Sequence, residues 1–96
     1  MLVDDHPLVR SGLTQVLDAD DGLIVVGSAA GGLEAVDTVM DLAPEVVLMD
    51  VSMPGMDGIT ATRELLKRRP MTRVVMLTSY AEDDTVLAAL DAGACG

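Results

Sequence analysis

The stretch from residue 46 to residue 58 constrains the fold of this chain more than any other. Four apolar residues (46–49) lead directly into Asp50, and turn-forming residues follow, including Pro54-Gly55 and Asp57-Gly58. A short apolar run closed by such residues predicts a buried strand that ends in a loop. Strands of this kind are typical of a parallel sheet that is covered on both faces. Asp50 is then expected at the carboxyl edge of the sheet, where open α/β folds place their ligands.

Hydrophobic periodicity and turn residues predict four strands that alternate with four helices. The strands are expected at residues 1–3, 23–26, 46–50 and 74–77. The helices are expected to begin at Pro7, after Gly31-Gly32, at Asp57 and at Glu82. Strict alternation of elements this short predicts a doubly wound parallel α/β sheet with right-handed crossovers.

Composition limits the classes of function that are open to the chain. The 96 residues suit one small domain, and a formal net charge of -10 argues against direct contact with nucleic acid, which requires a basic face. The charge favours a cation or a basic partner instead. The one cysteine, Cys95, cannot form an internal disulfide and fits a reducing compartment. Because there is no apolar run of about 18 residues and no signal-peptide pattern, we expect a cytoplasmic location without membrane association.

Polar residues follow three of the predicted strands. Asp4 and Asp5 follow the first strand, Asp50 ends the third, and Thr78 follows the fourth. Parallel strand ends share one edge of a sheet, so the carboxylates are expected to lie close together and to repel one another. A hard divalent ion such as Mg²⁺ would relieve that repulsion. A carboxylate beside Mg²⁺ and a hydroxyl is suited to phosphoryl transfer, with the carboxylate as the nucleophile.

These residues resemble the receiver domain of two-component response regulators. The resemblance is carried by Asp4-Asp5, by the run Asp-Val-Ser-Met-Pro-Gly-Met-Asp-Gly at 50–58, and by Thr78. The opening residues 4–10 and the closing residues 93–96 are similar to the NarL/FixJ subgroup. The resemblance extends over essentially the whole chain and implies a flavodoxin-like (CheY-like) fold with strand order 2-1-3-4-5.

The resemblance also implies a role for each site residue. Asp50 would accept a phosphoryl group from a sensor histidine kinase. Asp5, Asp50 and the backbone carbonyl of Ser52 would bind Mg²⁺. Asp4 would act through water, and Thr78 would contact the phosphoryl group. Members of the subgroup usually carry a LuxR-type DNA-binding domain downstream, and a receiver is a phosphoacceptor with at most self-catalysed phosphorylation and dephosphorylation.

Two features of the receiver family have no counterpart in residues 1–96. One is the lysine at the end of the fifth strand, and the other is the aromatic residue before it; Lys67 lies on the third predicted helix and Tyr80 lies just after Thr78. We therefore interpret residues 1–96 as a receiver domain without its fifth strand and last helix, and without an output domain. An open edge on the fourth strand would favour marginal stability and pairing with a second copy of the chain.

Two alternative functions stay open. Without the phosphate-pairing lysine, the chain could be an inert or purely protein-binding fragment. It could also be a Mg²⁺-dependent phosphatase with an aspartyl nucleophile. That class uses Asp-x-Asp at the first strand, whereas Asp50 is on the third strand and is followed two places later by Ser52.

His6 directly follows the acidic pair in the sequence. An imidazole there could act as a metal ligand or a proton carrier. Because Pro7 follows and suits the first position of a helix, we interpret His6 as a loop residue instead. Cys95 has no histidine at a motif spacing and is interpreted as a small buried apolar residue.

Overall fold

The computed structural model of the chain describes residues 1–51, 53–77, 90 and 92–94. Its elements are β1 (Leu2–Val3), α1 (Pro7–Asp18), β2 (Ser28–Ala29), α2 (Gly32–Leu42), β3 (Val46–Asp50), α3 (Gly58–Arg68) and β4 (Arg73–Leu77). All strand pairs are parallel, and the sheet order is β2-β1-β3-β4. The predicted α/β architecture and strand order are confirmed. The predicted start of a fourth helix at Glu82 lies outside the described residues, as do Ser52, Thr78, Tyr80 and Cys95.

The second strand does not lie where the hydrophobic pattern predicts it. Residues 23–26 were the expected strand, but the chain pairs with β1 only at β2, so this prediction is wrong. The N–H groups of Leu2 and Asp4 donate to the carbonyls of Gly27 and Ala29, both at 3.2 Å. An apolar run indicates only that a segment can form a strand. The hydrogen bonds made by the two-residue strand β1 decide which segment pairs with it, and in which register. The apolar residues 23–26 are left in the connection before β2.

The helix ends follow local sequence rules. Pro7 is the first residue of α1, where its missing N–H is tolerated. Asp57 caps α3 as predicted, because its carboxylate accepts the backbone N–H of Thr60 at 2.8 Å. Ala43 ends α2 in the left-handed region (φ 45°), directly before Pro44.

None of the helices in the described part of the chain is long and apolar enough to cross a membrane.

The two faces of the sheet are packed to different extents. On the core face, α2 and α3 cover the strands, and the side chains that are almost fully buried are Val3, Ala29, Ala35, Val36, Val39, Val47, Met49, Ala61, Leu65 and Val74. On the α1 face, the helix lies against β1 but contains no buried residue. A pocket of about 470 Å³ opens there between α1, the connection to β2, and the strand residues Leu2, Val46 and Leu48. One face is therefore a closed core and the other is partly open.

β4 forms one edge of the sheet that the structure describes. It pairs with β3 along its whole length, from Arg73 to Leu77. Val74 is fully buried on the core face, whereas the three residues after it are half-buried. The expectation that a second copy of the chain pairs with this edge stays a prediction.

Candidate functional site

The site is formed where β1 and β3 end side by side. Leu2 and Val3 pair in register with Leu48 and Met49. The residues that follow these pairs are Asp4 on one strand and Asp50 on the other. Four residues, here called the acidic cluster, each place one possible ligand atom within 4.8 Å of the ligand atoms of the other three. They are Asp4, Asp5, His6 and Asp50. The structure thus brings together the carboxylates that the sequence predicts as neighbours and adds an imidazole to them.

Hydrogen bonds hold the loop between β1 and α1 against the end of β1. Asp4 is buried, with 6% of its surface exposed, and its Oδ1 accepts the backbone N–H of His6 at 2.8 Å. The guanidinium of Arg10 donates to the backbone carbonyl of Asp4 at 2.6 Å. Because Arg10 belongs to α1, these bonds fix the start of that helix relative to the strand end that carries the acidic pair.

His6 contacts both carboxylates of the acidic pair. Its Nδ1 lies 3.1 Å from Oδ1 of Asp4 and 3.0 Å from Oδ1 of Asp5. The hydrogen bond with Asp4, and next the charge of Asp5, raise the pKa of His6 above its ordinary value. Sequence reasoning placed His6 correctly in the loop and missed these contacts. The sequence did contain a signal for them. His6 precedes the first residue of a predicted helix and directly follows two carboxylates, so its ring has to lie close to them.

Asp5 has a buried oxygen whose hydrogen-bonding capacity is not used. Within the described residues, Oδ1 of Asp5 has no hydrogen-bond partner. The nearby Nδ1 of His6 makes its hydrogen bond with Asp4 instead, so its approach to Asp5 is a contact between charges. A buried acceptor without a donor costs free energy, and a cation would recover it. Mg²⁺ prefers hard oxygen ligands such as this carboxylate oxygen, so the acidic cluster fits that ion.

α3 approaches the end of β3 closely because its first residue is glycine. The N–H of Gly58 donates to the carbonyl of Val51 at 3.0 Å. A Cβ atom at Gly58 would overlap the backbone carbonyl of Asp50. The helix start therefore packs directly on the backbone of the central carboxylate, which is half-buried. The roles predicted for Ser52 and Thr78 concern residues outside the described part of the chain.

The whole sequence, residues 1–96, matches the family described as the response regulator receiver domain. The chain is 49% identical over 96 residues to the response regulator GacA of Pseudomonas viridiflava, a match that covers 100% of this chain and 45% of GacA. It is 42% identical over 94 residues to the transcriptional regulatory protein LiaR of Bacillus subtilis (strain 168), which covers 98% of this chain and 44% of LiaR. The chain thus spans less than half the length of these relatives.

Solved structures share the fold at high similarity. A two-component response regulator of the LuxR family from Aurantimonas sp. SI85-9A1 superposes with a TM-score of 0.95 and 38% identity, covering 100% of this chain and 69% of that one. A chain of the CheX–CheY–BeF3–Mg²⁺ complex from Borrelia burgdorferi superposes with a TM-score of 0.89 and 31% identity, covering 98% of this chain and 71% of that one.

Proposed function

Because the chain belongs to the response regulator receiver domain family, we propose that it is the phosphoacceptor module of a two-component response regulator. The receiver-domain family, which the motif at residues 50–58 predicted, is confirmed. The predicted similarity to the NarL/FixJ (LuxR-type) subgroup is confirmed as well. Receiver domains in general interact with histidine kinases and are not classical enzymes. In this proposal a sensor histidine kinase is the donor and Asp50 is the acceptor.

Asp50 is the proposed nucleophile. The supporting observation is that its carboxylate stands at the carboxyl edge of the sheet within 4.8 Å of ligand atoms from Asp4 and Asp5. An oxygen of Asp50 would attack the phosphorus of a phosphohistidine, forming a P–O bond as the P–N bond breaks and the kinase imidazole leaves. Water would later attack the phosphorus of the resulting acyl phosphate, breaking the P–O bond to Asp50, releasing inorganic phosphate and restoring the carboxylate.

Asp5 and Asp50 would hold Mg²⁺, together with the backbone carbonyl of Ser52 and with Asp4 acting through water. When bound, the ion would offset negative charge on the phosphoryl oxygens. Asp5 suits this role because its buried Oδ1 has no hydrogen-bond partner among the described residues. The similar CheX–CheY–BeF3–Mg²⁺ complex from Borrelia burgdorferi contains this ion, which supports the choice of Mg²⁺. The hydroxyl of Thr78 would contact the phosphoryl group.

The proposal extends to the output of the full protein. One relative is a transcriptional regulatory protein, and one similar structure belongs to the LuxR family. We therefore propose that phosphorylation of this receiver controls a LuxR-type DNA-binding domain in the cytoplasm. Homodimer formation through the receiver is part of the same proposal.

Incubation with acetyl phosphate and Mg²⁺, followed by intact mass measurement, tests the proposed function. We expect one added phosphoryl group on the wild-type chain and none on Asp50→Asn. Asp57→Asn is a matched control from the same loop, because asparagine caps a helix about as well as aspartate; it should be phosphorylated like the wild type. A phosphoryl group that persists in Asp50→Asn would contradict the proposal.

Two further outcomes separate the alternatives. Steady turnover of a generic phosphate ester would favour a phosphatase. A folded protein that binds Mg²⁺ but shows no added mass would favour the protein-binding alternative.

A further inference from the structure

The acidic cluster contains a nitrogen donor that the proposed function does not use. Nδ1 of His6 lies 3.1 Å from Oδ1 of Asp4 and 3.0 Å from Oδ1 of Asp5. A ring nitrogen of His6 also belongs to the group of ligand atoms that includes Asp50. His6 is the only histidine in the sequence, so it is the one source of imidazole in the chain.

The spacing of these atoms matches the coordination sphere of a small divalent ion. When each metal–ligand distance is about 2.1 Å, adjacent ligands of an octahedral ion lie about 3.0 Å apart and opposite ligands about 4.2 Å apart. The distances of 3.1 Å and 3.0 Å from Nδ1 of His6 to the two carboxylates correspond to adjacent ligands. The limit of 4.8 Å on the whole group is close to the separation of opposite ligands. The hydrogen bond that holds Nδ1 to Asp4 therefore also keeps it at a distance suited to a shared ion.

The backbone holds His6 in this position while leaving its ring accessible. His6 is the N-cap residue of α1, and its N–H donates to Asp4 at 2.8 Å. Pro7 follows as the first helical residue and restricts the backbone there. The side chain of His6 is 66% exposed, so a hydrated ion can reach the ring from solvent.

We propose that His6 Nδ1 is a ligand in the acidic cluster for late first-row divalent ions such as Ni²⁺ and Cu²⁺. The proton that Nδ1 donates to Asp4 is released to solvent when the metal–nitrogen bond forms. The inference rests on the proposed function, because it uses the same cluster. Imidazole nitrogen suits these ions, whereas Mg²⁺ prefers oxygen ligands and keeps several of its waters. The carboxylates then determine whether the site holds an ion at all, and His6 determines which ions it prefers.

Isothermal titration calorimetry of the untagged chain with Ni²⁺, and separately with Mg²⁺, tests this ion preference. At about pH 8, where protons compete less for the imidazole, we expect His6→Asn to lower the Ni²⁺ affinity at least about tenfold. The Mg²⁺ affinity should change less than about twofold, since that ion does not depend on nitrogen. Asparagine is a suitable N-cap residue, so the start of α1 should be preserved. Asp50→Asn, the control for the cluster itself, should weaken the binding of both ions.

A spectroscopic measurement identifies the ligand directly. Electron spin echo envelope modulation of bound Cu²⁺ reports a coordinated imidazole, and the single histidine makes the assignment unambiguous. We expect the imidazole signal in the wild-type chain and its absence in His6→Asn.

The outcomes distinguish this inference from the proposed function. Equal losses of Ni²⁺ and Mg²⁺ affinity in His6→Asn would show that His6 only shapes the loop, and would overturn the inference. Unchanged Ni²⁺ affinity, or no imidazole signal from the wild-type chain, would overturn it as well. If Asp50→Asn leaves both ions bound while His6→Asn still removes Ni²⁺ binding, the inference stands and the metal site of the proposed function fails.

Discussion

The core face and the α1 face share the same strands and yet are packed very differently. Val47 and Val46 are neighbours on β3 that point to opposite faces, and they are 0% and 43% exposed. On the core face, α2 and α3 close over the strand; on the α1 face, a pocket of about 470 Å³ borders Val46. Both residues are valine, so residue type does not decide their burial. The helices that cover each face decide it.

The same difference runs through the candidate site. Asp50 is positioned from the core face, where α3 begins against its backbone at Gly58. Asp4 and its loop are positioned from the α1 face, by hydrogen bonds from His6 and Arg10 rather than by buried packing. Substitutions on the two sides should therefore act through different physical effects.

The largest difference in stability between the two faces is expected from a pair of glycine substitutions, one on each side of the sheet. Gly58→Ala in α3 would force the backbone of Asp50 to move, and we expect a loss of about 3 kcal/mol in the free energy of unfolding together with weaker Mg²⁺ binding. Gly12→Ala in α1 adds a Cβ with nothing within 4 Å and should stabilise the protein by about 0.5–1 kcal/mol. Urea denaturation measures both changes. Equal effects of the two substitutions would abolish the distinction between the faces.

A smaller effect is expected from the neighbouring valines of β3. Val47→Ala removes two fully buried methyl groups and should cost about 2 kcal/mol of unfolding free energy. Val46→Ala removes the same groups from a position that is 43% exposed, and should cost less than about 1 kcal/mol. Both substitutions lower strand propensity equally, so their difference in urea denaturation isolates burial. A larger loss for Val46→Ala would show that the α1 face is closed in solution.

The smallest effect concerns His6 and pH in the metal-free protein. The hydrogen bond with Asp4 and the charge of Asp5 raise the pKa of His6 above 6.5, so the protonated ring stabilises the folded state. This stabilisation is complete below the unfolded value and is lost as the pH rises through the raised value. With a chelator present, the Tm of the wild type should therefore fall relative to that of His6→Asn between about pH 5 and pH 8. Parallel Tm profiles of the two proteins would show that the charge contacts do not form in solution.

Local chemistry made much of the fold and part of the site predictable. The apolar run before Asp50 predicted β3, and the preference of Asp57 for an N-cap predicted the start of α3. Because parallel strand ends share an edge, the alternating order of elements also predicted that Asp5 and Asp50 meet. Each of these inferences depends on neighbours in the chain or on a general rule of sheet topology.

The sequence by itself determined the element order, the strand that delivers Asp50 and the family of the chain. Only the tertiary structure decided three other features: the register of β2, the contacts of His6 with both carboxylates, and the unequal covering of the two faces. Residues 23–26 are apolar enough to form a strand, but the hydrogen bonds of β1 select the segment that follows them. Burial and pairing are properties of pairs of elements, and a pattern read along one chain contains no distances between them.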